Sequence, residues 1–373
     1  MPAKKTIKKV KNAGAMFPYG LDKARKFIDS IDKKVKCGIL FDKDSDGICS
    51  ATLIIKYLQS KGLEPSFAHS KDETGINISE SLLNQINDLD VLITCDLPLD
   101  QSGFVNALNV KRALVIDHHV PVANLTKNGW LHINPRFEDA NTYRPTSYLT
   151  YVLTQPFSSR YSWIAGIGVL SDYGLKDCSD LVTEIAKVHP ELVTKNPLDQ
   201  KAMWKSGLGL LSGIIAAAYG TESSKGSDEA FDTVVKAENP EDVTSSRLML
   251  HYNKFQGELE HVMDDFEHNA EHHEKFGAYV YRVSSKYKIM SVVATLVSER
   301  YADNVVFLYR ETANHIECSV RCQSGRVDVA ALMQELTRGI GSGGGHQKAA
   351  GGEVAIEHRD EFLERMRRKF EGL

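Results

Sequence analysis

The sequence predicts an α/β fold in which a doubly wound, mainly parallel sheet is joined by a helical connector to a smaller α+β domain. Two observations in the first half support this prediction. Short apolar runs, typical of strands buried on both faces, alternate with segments of helical length. Acidic residues follow several of these runs directly, and the carboxyl ends of parallel strands open onto the edge of a sheet where ligands bind. The predicted fold would therefore bring these acidic side chains close together at that edge of the sheet.

The elements of the first domain, residues 35–220, follow in order. The predicted strands are "VKCGILFD", "EPSFAHS", "DVLITCD" and "RALVIDHH". The intervening helices are "GICSATLIIKYLQSKG", which ends at Gly62, and "ISESLLNQIND". From about Pro145 the strand signal fades, and helical patterns continue to about Tyr219 as a helical extension.

Residues 221–276 predict an exposed excursion followed by a connector helix. The stretch "GTESSKGSDEAFDTVVKAENPEDVTSS" is polar and rich in turn formers. In the helix after it, Phe255, Leu259, Val262 and Phe266 recur at spacings that form one apolar stripe.

Residues 277–373 predict a separate α+β domain. Its strands are "AYVYRVS", "NVVFLYR", "HIECSVRC" and "GEVAIE", and its helices are "KIMSVVATLVSERY", "DVAALMQELT" and a last basic segment. With the basic N-terminal segment of residues 1–34, this gives four regions. We expect two lobes with a cleft between them.

Composition excludes several classes of protein. The six cysteines lie mostly within apolar stretches and lack paired spacing, so buried reduced thiols are expected. No run reaches the roughly 18 apolar residues of a membrane span, and the lysine-rich N-terminus has no apolar segment after it, which predicts a cytoplasmic protein. The net charge of −4 gives no global attraction to nucleic acid, so such binding must come from local patches.

Acids and imidazoles follow three of the predicted strands. They are Asp42, Asp44 and Asp46 after the first, Asp96 after the third, and Asp117, His118 and His119 after the fourth. A single acid there commonly caps the next helix, as Asp46 could. Several carboxylates brought together would repel one another unless a cation neutralised them. An oxygen-rich site with one or two imidazoles favours Mn²⁺ or Mg²⁺, and two such ions would suit phosphoryl chemistry.

A glycine cluster, "GSGGGHQK", predicts a phosphate contact in the second domain. Successive glycines let backbone N–H groups approach an anion, and His346 can donate to a phosphate oxygen. Arg321 on a neighbouring strand would add a forked donor. The alternative is a flexible loop.

Two weaker patterns have ordinary interpretations. His268 and His272, four residues apart, could bind a metal on a helix, but a solvated charged face is favoured. The stretch "KKTIKKVK" could bind phosphate backbones, but it is typical of a disordered tail.

The motifs resemble those of a known family. "FDKDSDG", "LITCD", "VIDHH" and "GVLSDYG" resemble, in order, the four motifs of the DHH phosphoesterase superfamily. The "SVR" of Ser319 to Arg321 and "GSGGGHQKAAGGEV" resemble its DHHA1 substrate-binding domain. The resemblance runs from about Cys37 to the C-terminus.

The resemblance implies a role for individual residues. Asp44 and Asp96 would hold one Mn²⁺, and Asp46, Asp96, His118 and Asp172 would hold the other, with Asp42 as an additional ligand. His119 would face the scissile phosphate, and Asp117 would orient its neighbours. Without the resemblance, Asp172 would be interpreted as a solvated acid at a helix end. The implied substrate contacts are Ser319, Arg321, Gly343, Gly344, Gly345 and His346.

The implied activity is that of a compact, archaeal-type RecJ-like exonuclease that cleaves single-stranded DNA or RNA to nucleoside monophosphates with two divalent cations, Mn²⁺ or Mg²⁺. The leading aspartate of the first motif resembles RecJ more than the enzymes acting on short oligonucleotides or cyclic dinucleotides, which remain an alternative. The glycine and histidine cluster argues against a pyrophosphatase. A replication scaffold of the same fold is the alternative from another class, and replication or repair proteins are candidate partners.

Overall fold

The computed structural model describes residues 18–71 and 78–372. Within them the chain forms two compact units, one from residues up to 219 with 224–248, the other from residues 220–223 with 249 onward. The basic stretch "KKTIKKVK" lies outside the described residues.

A parallel sheet forms the centre of the first unit. Its five strands are β1 (Cys37–Phe41), β2 (Phe67–Ser70), β3 (Val91–Cys95), β4 (Arg112–Ile116) and β5 (Trp130–Ile133), in the order β2-β1-β3-β4-β5. All neighbouring pairs are parallel, which confirms the predicted fold class. The chain direction across the sheet reverses between β1 and β3, and this switch point is where such sheets bind ligands. The short strand β5 was not predicted.

Ten helices surround this sheet in the described part of the first unit. They are α1 (Leu21–Asp29), α2 (Ser45–Ser60), α3 (Glu80–Asn87), α4 (Thr146–Leu153), α5 (Ser162–Ser171), α6 (Ser179–Val188), α7 (Gln200–Met203), α8 (Gly207–Glu222), α9 (Ser224–Lys236) and α10 (Pro240–Thr244). The predicted stop at Gly62 holds, since this residue follows α2 with a φ of 70°. Helix α2 is almost entirely buried, and it packs against α4, α5 and α9.

The predicted exposed excursion is wrong for residues 224–236, which form α9. Ala230 and Val234 are buried, and the Phe231 ring packs on that of Phe41 with centroids 4.5 Å apart. Gly226 allows close approach, because a Cβ there would lie 1.9 Å from the backbone oxygen of Ala218 in α8. Tertiary packing therefore overrides the local preference for turns.

The second unit contains a six-stranded mixed sheet. Its strands are β6 (Glu271–His273), β7 (Ala278–Arg282), β8 (Val305–Glu311), β9 (His315–Arg321), β10 (Gly341–His346) and β11 (Ala349–Ala355), in the order β10-β11-β9-β8-β7-β6. Only β7 and β8 pair in parallel among these strands. The helices are α11 (Leu248–Asn269), α12 (Met290–Arg300), α13 (Val329–Thr337) and α14 (Arg359–Glu371). Helices α13 and α14 close a core over one face of the sheet, and α12 packs on β8 and β9.

Two details of this unit differ from expectation. The apolar stripe of α11 is formed, with Phe255, Val262 and Phe266 buried. However, the helix ends at Asn269, so His272 lies in β6 and does not share a helical face with His268. In addition, the glycine cluster is strand β10 and not a loop.

All six cysteines are buried and unpaired, as predicted. No helix in the described ranges is both long and apolar enough to cross a membrane.

We expect Gly226→Ala to destabilise the protein, because its Cβ would force α9 away from α8. Overpacking of this kind costs about 1–3 kcal/mol. Gly257→Ala is the matched control, since a Cβ there meets nothing within 4 Å and alanine favours a helix by about 0.5–1 kcal/mol. Urea unfolding measures both; equal stability of the two variants would contradict the packing of α9.

Candidate metal centre

The carboxyl edge of the parallel sheet gathers the acidic side chains. Asp42 follows β1, Asp96 follows β3, and Asp117 follows β4. Asp172 arrives from a different direction, directly after the end of α5. The strand order places the segments after β1 and β3 side by side at the switch point.

The turn from β1 into α2 positions the first acids. Asp44 is the N-cap of α2, and its Oδ1 accepts a hydrogen bond from the Gly47 N–H at 2.9 Å. The Asp44 N–H in turn donates to Oδ1 of Asp42 at 3.2 Å. Glycine is required at residue 47, because a Cβ would lie 2.1 Å from the Asp42 backbone oxygen. The cap is therefore Asp44, and the alternative that Asp46 caps the helix is wrong.

Asp46 is fully buried and held by the start of α4. Its carboxylate accepts from the N–H of Thr146 at 2.7 Å and of Ser147 at 3.0 Å, and also from the Ser147 hydroxyl. These N–H groups have no partner within their own helix, and the helix dipole favours an anion there. Gly168 of α5 leaves room, because its Cβ would lie 2.6 Å from Oδ1 of Asp46.

Asp96 is buried and takes an unusual backbone conformation. Its φ is 61°, a region that aspartate visits more readily than most residues. The Thr146 hydroxyl donates to its Oδ1 at 3.1 Å. Burial, followed by the charges of Asp46, Asp44 and Asp172, raises the pKa of Asp96 well above its usual range.

His118 lies between two acids. Its Nε2 is 3.3 Å from Oδ1 of Asp96 and 3.2 Å from Oδ2 of Asp172. Burial lowers the pKa of His118, so its neutral form, the one able to bind a metal, is favoured. Its backbone is fixed by Arg136, whose Nε donates to the His118 carbonyl at 2.9 Å.

Asp172 is largely buried, with 19% of its side chain exposed. The Tyr143 hydroxyl donates to its Oδ2 at 3.2 Å. Burial and the charges of Asp46 and Asp44 raise the pKa of Asp172 to about 8. It is therefore not the solvated acid that a helix end alone would suggest.

His119 is the accessible imidazole of the cluster, with 45% of its side chain exposed. Its Nδ1 lies 2.8 Å from Oδ1 of the buried Asp117. Burial would lower the pKa of His119, but the hydrogen bond and charge of Asp117 raise it to about 8. For Asp117, burial would raise the pKa, but His119 lowers it. The pair therefore holds a proton on the imidazole near neutral pH.

The donor set fits a divalent cation. Two groups of side chains place their ligand atoms within 4.8 Å of one another: Asp46 with His118 and Asp172, and Asp96 with His118 and His119. Asp42 and Asp44 lie at the same edge but belong to neither group. Although Asp44 still reaches solvent, reduced hydration and the charges of Asp42 and Asp46 raise its pKa to about 7. Mutual repulsion of this kind is relieved by a cation, and oxygen-rich donors suit Mn²⁺ or Mg²⁺.

The substrate-binding candidates of the second unit share one face of its sheet. Pairing places His346 opposite Ala349 and Ala349 opposite Arg321, so the two side chains lie on the same face, two strands apart. Gly344 and Ser319 form the next row of that face, and Ser319 is buried. The Arg321 guanidinium donates to the Ser291 hydroxyl at 3.1 Å and to the Ala350 carbonyl at 3.3 Å.

The glycines of β10 have different roles. A Cβ at Gly343 would lie 2.8 Å from the Thr337 hydroxyl of α13, so this glycine serves packing of the opposite face. Gly344 has open space, with its nearest neighbour 4.0 Å away. Gly345 has a φ of 141°, which favours glycine.

Sequence reasoning missed the residues that hold the site together. Thr146 and Ser147 bind Asp46 and Asp96, Tyr143 binds Asp172, and Arg136 holds the backbone of His118. The stretch "PTS" carries a helix-start signal that could have identified Thr146 and Ser147. No local pattern identifies Tyr143 or Arg136.

Comparisons with known proteins agree with this architecture. The model of the DHH family, N-terminal domain, matches residues 36–173, and the model of the DHHA1 domain matches residues 275–372. Among curated proteins there is no significant match.

Several solved structures share the fold. RecJ from Thermus thermophilus, in complex with Mn²⁺, matches 96% of this chain and 56% of its own, with 17% identity and a TM-score of 0.69. A manganese-bound exonuclease RecJ matches 94% of this chain and 94% of its own, with 18% identity and a TM-score of 0.66. CDC45 from Entamoeba histolytica matches over 94% of this chain and 98% of its own, with 11% identity and a TM-score of 0.58. This chain thus spans just over half the length of the Thermus protein.

The two domain models match in the expected order and together cover more than half of the chain. The protein therefore belongs to the DHH family and carries a DHHA1 domain.

Proposed function

We propose that this protein is a metal-dependent phosphodiesterase of the RecJ type, an exonuclease that hydrolyses single-stranded DNA or RNA to nucleoside monophosphates. The DHH family consists of phosphoesterases, so family membership supports the hydrolysis of phosphate esters in general. The exonuclease activity is the more specific part of the proposal. The observation that carries the proposal is the convergence of Asp46, Asp96, Asp172 and His118 at one edge of the sheet.

These residues would hold two divalent cations, with Mn²⁺ favoured. Asp44 and Asp96, assisted by Asp42, would hold one ion, and Asp46, Asp96, His118 and Asp172 would hold the other. When bound, the ions would neutralise the carboxylates, lower the pKa of a water molecule and stabilise charge on a phosphoryl group.

The remaining residues of the centre would donate a hydrogen bond to the substrate or hold the metal-binding carboxylates in place. Asp117 engages Nδ1 of His119, which leaves Nε2 of this exposed imidazole as the atom that can donate to a phosphate oxygen. The pKa of about 8 keeps His119 protonated at neutral pH, so that this bond would be charge-assisted. Thr146 and Tyr143 hold the carboxylates of Asp96 and Asp172 in place.

Substrate binding is assigned to the face of the second sheet that carries Arg321 and His346, of which His346 is exposed. A guanidinium offers the planar, forked donor that suits phosphate, and Gly344 leaves the strand surface open for a ligand to approach. Ser319 in the same row would add a hydroxyl.

A catalytically silent scaffold of this fold is disfavoured by the electrostatics. Reduced hydration and the charges of neighbouring acids, Asp46 among them in each case, raise the pKa values of Asp44, Asp96 and Asp172. The cluster therefore disfavours the charged forms that dominate for ordinary carboxylates near pH 7. A protein that never bound a cation would be more stable without them.

We expect hydrolysis of end-labelled single-stranded oligonucleotides to require a divalent cation, because among the described residues the acids of the centre have no other countercharge of comparable size. Excess chelator should abolish turnover, and Mn²⁺ should restore it. The same DNA and RNA ladders reveal polarity and preference. Full turnover in excess chelator would exclude the metal mechanism.

Asp96→Ala should reduce kcat/KM by more than about a hundredfold while the protein stays folded, since this residue is proposed to serve both ions. In chelator its unfolding midpoint should stay near that of the wild type. Removal of a repelling carboxylate should offset the loss of the Thr146 hydrogen bond and the strain of alanine at a φ of 61°. Asp177→Ala, which changes an exposed acid of the same unit, is the control. Near-normal activity of Asp96→Ala would remove the two-metal assignment.

His346→Ala and Arg321→Ala should leave Mn²⁺ affinity unchanged, because neither removes a ligand. Loss of a charge-assisted contact should lower kcat/KM by about ten- to more than a hundredfold, or roughly 1.5–3 kcal/mol. Asp44→Ala should instead weaken Mn²⁺ binding itself. Calorimetry with Mn²⁺ beside hydrolysis of a short oligonucleotide separates these classes, and loss of Mn²⁺ binding in His346→Ala would overturn the division of roles.

A further inference from the structure

Two exposed aromatic side chains lie at the turn that carries Asp172, Tyr173 within it and Trp204 packed against Tyr173. Tyr173 is 62% exposed and Trp204 is 37% exposed. Their rings meet edge to face, with centroids 6.4 Å apart and planes at 61°. This geometry leaves ring surface uncovered, although aromatic residues of this size usually bury most of it.

Tyr173 is placed by the same turn that delivers Asp172. The Asp172 carboxylate reaches His118 and Tyr143, while the next residue takes a φ of 58° and carries its ring outward. That φ is unfavourable for a bulky residue. The turn is fixed by the Gly174 N–H, which donates to the Val169 carbonyl at 2.9 Å. The ring is therefore attached one residue from a proposed metal ligand.

Trp204 is held against this turn by its own segment. The Gln200 side chain donates to the carbonyl of Leu170 in the last turn of α5 at 2.7 Å. The backbone N–H of Trp204 donates to the Gln200 carbonyl at 3.1 Å, and the neighbouring Met203 is fully buried. The other two tryptophans, Trp130 and Trp163, are buried. Trp204 is thus an ordered indole at the surface.

We propose that Tyr173 and Trp204 form a stacking platform for an unpaired nucleobase next to the scissile phosphate. The inference rests on the proposed function and specifies its substrate as one with an unstacked base. Aromatic faces bind every base, and such contacts are typical of proteins that bind single strands. The exposed Lys205, adjacent to Trp204, supplies positive charge for the nucleic acid backbone.

The test compares an intact short oligonucleotide with the same strand lacking one base beside the scissile phosphate. Wild-type protein should lose about 5- to 150-fold in kcat/KM on the abasic strand. On the intact strand, Tyr173→Ala should lose a similar factor in kcat/KM relative to the wild type. On the abasic strand, the variant and the wild type should have nearly the same kcat/KM, because removing the side chain and removing the base eliminate the same contact. Tyr173→Phe should retain most of the activity. Val188→Ala, which shortens an exposed apolar side chain of the same unit, is the control and should change neither.

Binding without turnover gives a second readout. In chelator, adding the intact oligonucleotide to wild-type protein should quench the exposed indole of Trp204, and Trp204→Phe should remove this change. Anisotropy of a labelled strand establishes that it is bound. An unchanged tryptophan spectrum with bound strand would overturn the proposal.

The outcomes separate the inference from the function beneath it. If wild-type protein neither binds nor cleaves any oligonucleotide, the proposed function fails and the platform with it. If the wild type cleaves strands but Tyr173→Ala is equally active, or slows intact and abasic strands by the same factor, the platform alone is wrong. If Tyr173→Ala does not fold, two measurements still test the platform. They are the kcat/KM of wild-type protein on the intact and abasic strands, and the loss of the fluorescence change in Trp204→Phe.

Discussion

Repulsion among buried carboxylates is the constraint on which the rest of the first unit depends. Burial raises the pKa of both Asp96 and Asp172, and the charge of Asp46 raises both further, with Asp172 adding to the rise at Asp96. An apolar core would not tolerate this arrangement without fixed donors around it. The sheet supplies the positions, since the strands end at one edge, and the surrounding helices supply the donors.

Those donors come from helix α4 more than from the strands. Its first two N–H groups and two hydroxyls bind Asp46 and Asp96, so a helix start serves as a local positive pole under the cluster. Gly168 lets α5 approach the same carboxylate, and the end of α5 then delivers Asp172. The candidate metal centre is thus built from the ends of three strands, β1, β3 and β4, the starts of α2 and α4, and the end of α5.

The strands and the acids after them could be predicted from the sequence because both depend on local patterns. Continuous apolar runs indicate buried parallel strands, and Asp42 or Asp96 follows such a run directly. Helix α9 could not be predicted this way, because its turn-forming residues are stabilised by packing of Phe231 on Phe41, far apart in sequence. The same holds for β10, where glycines form a strand because α13 needs a surface without side chains at Gly343. Tyr143 and Arg136 were missed for a related reason, since only the folded chain brings them to the cluster.

The exposed aromatic pair shows how one turn can serve two requirements. Ending α5 at Asp172 directs a carboxylate inward to His118, and the reversal of φ at Tyr173 directs the following side chain outward. A tyrosine gains little stability from this position, because most of its ring remains in water. Its ring contacts that of Trp204, and the remaining exposed ring surface is what the proposed platform would use. The turn therefore places a proposed metal ligand and the proposed stacking platform on adjacent residues that face opposite ways.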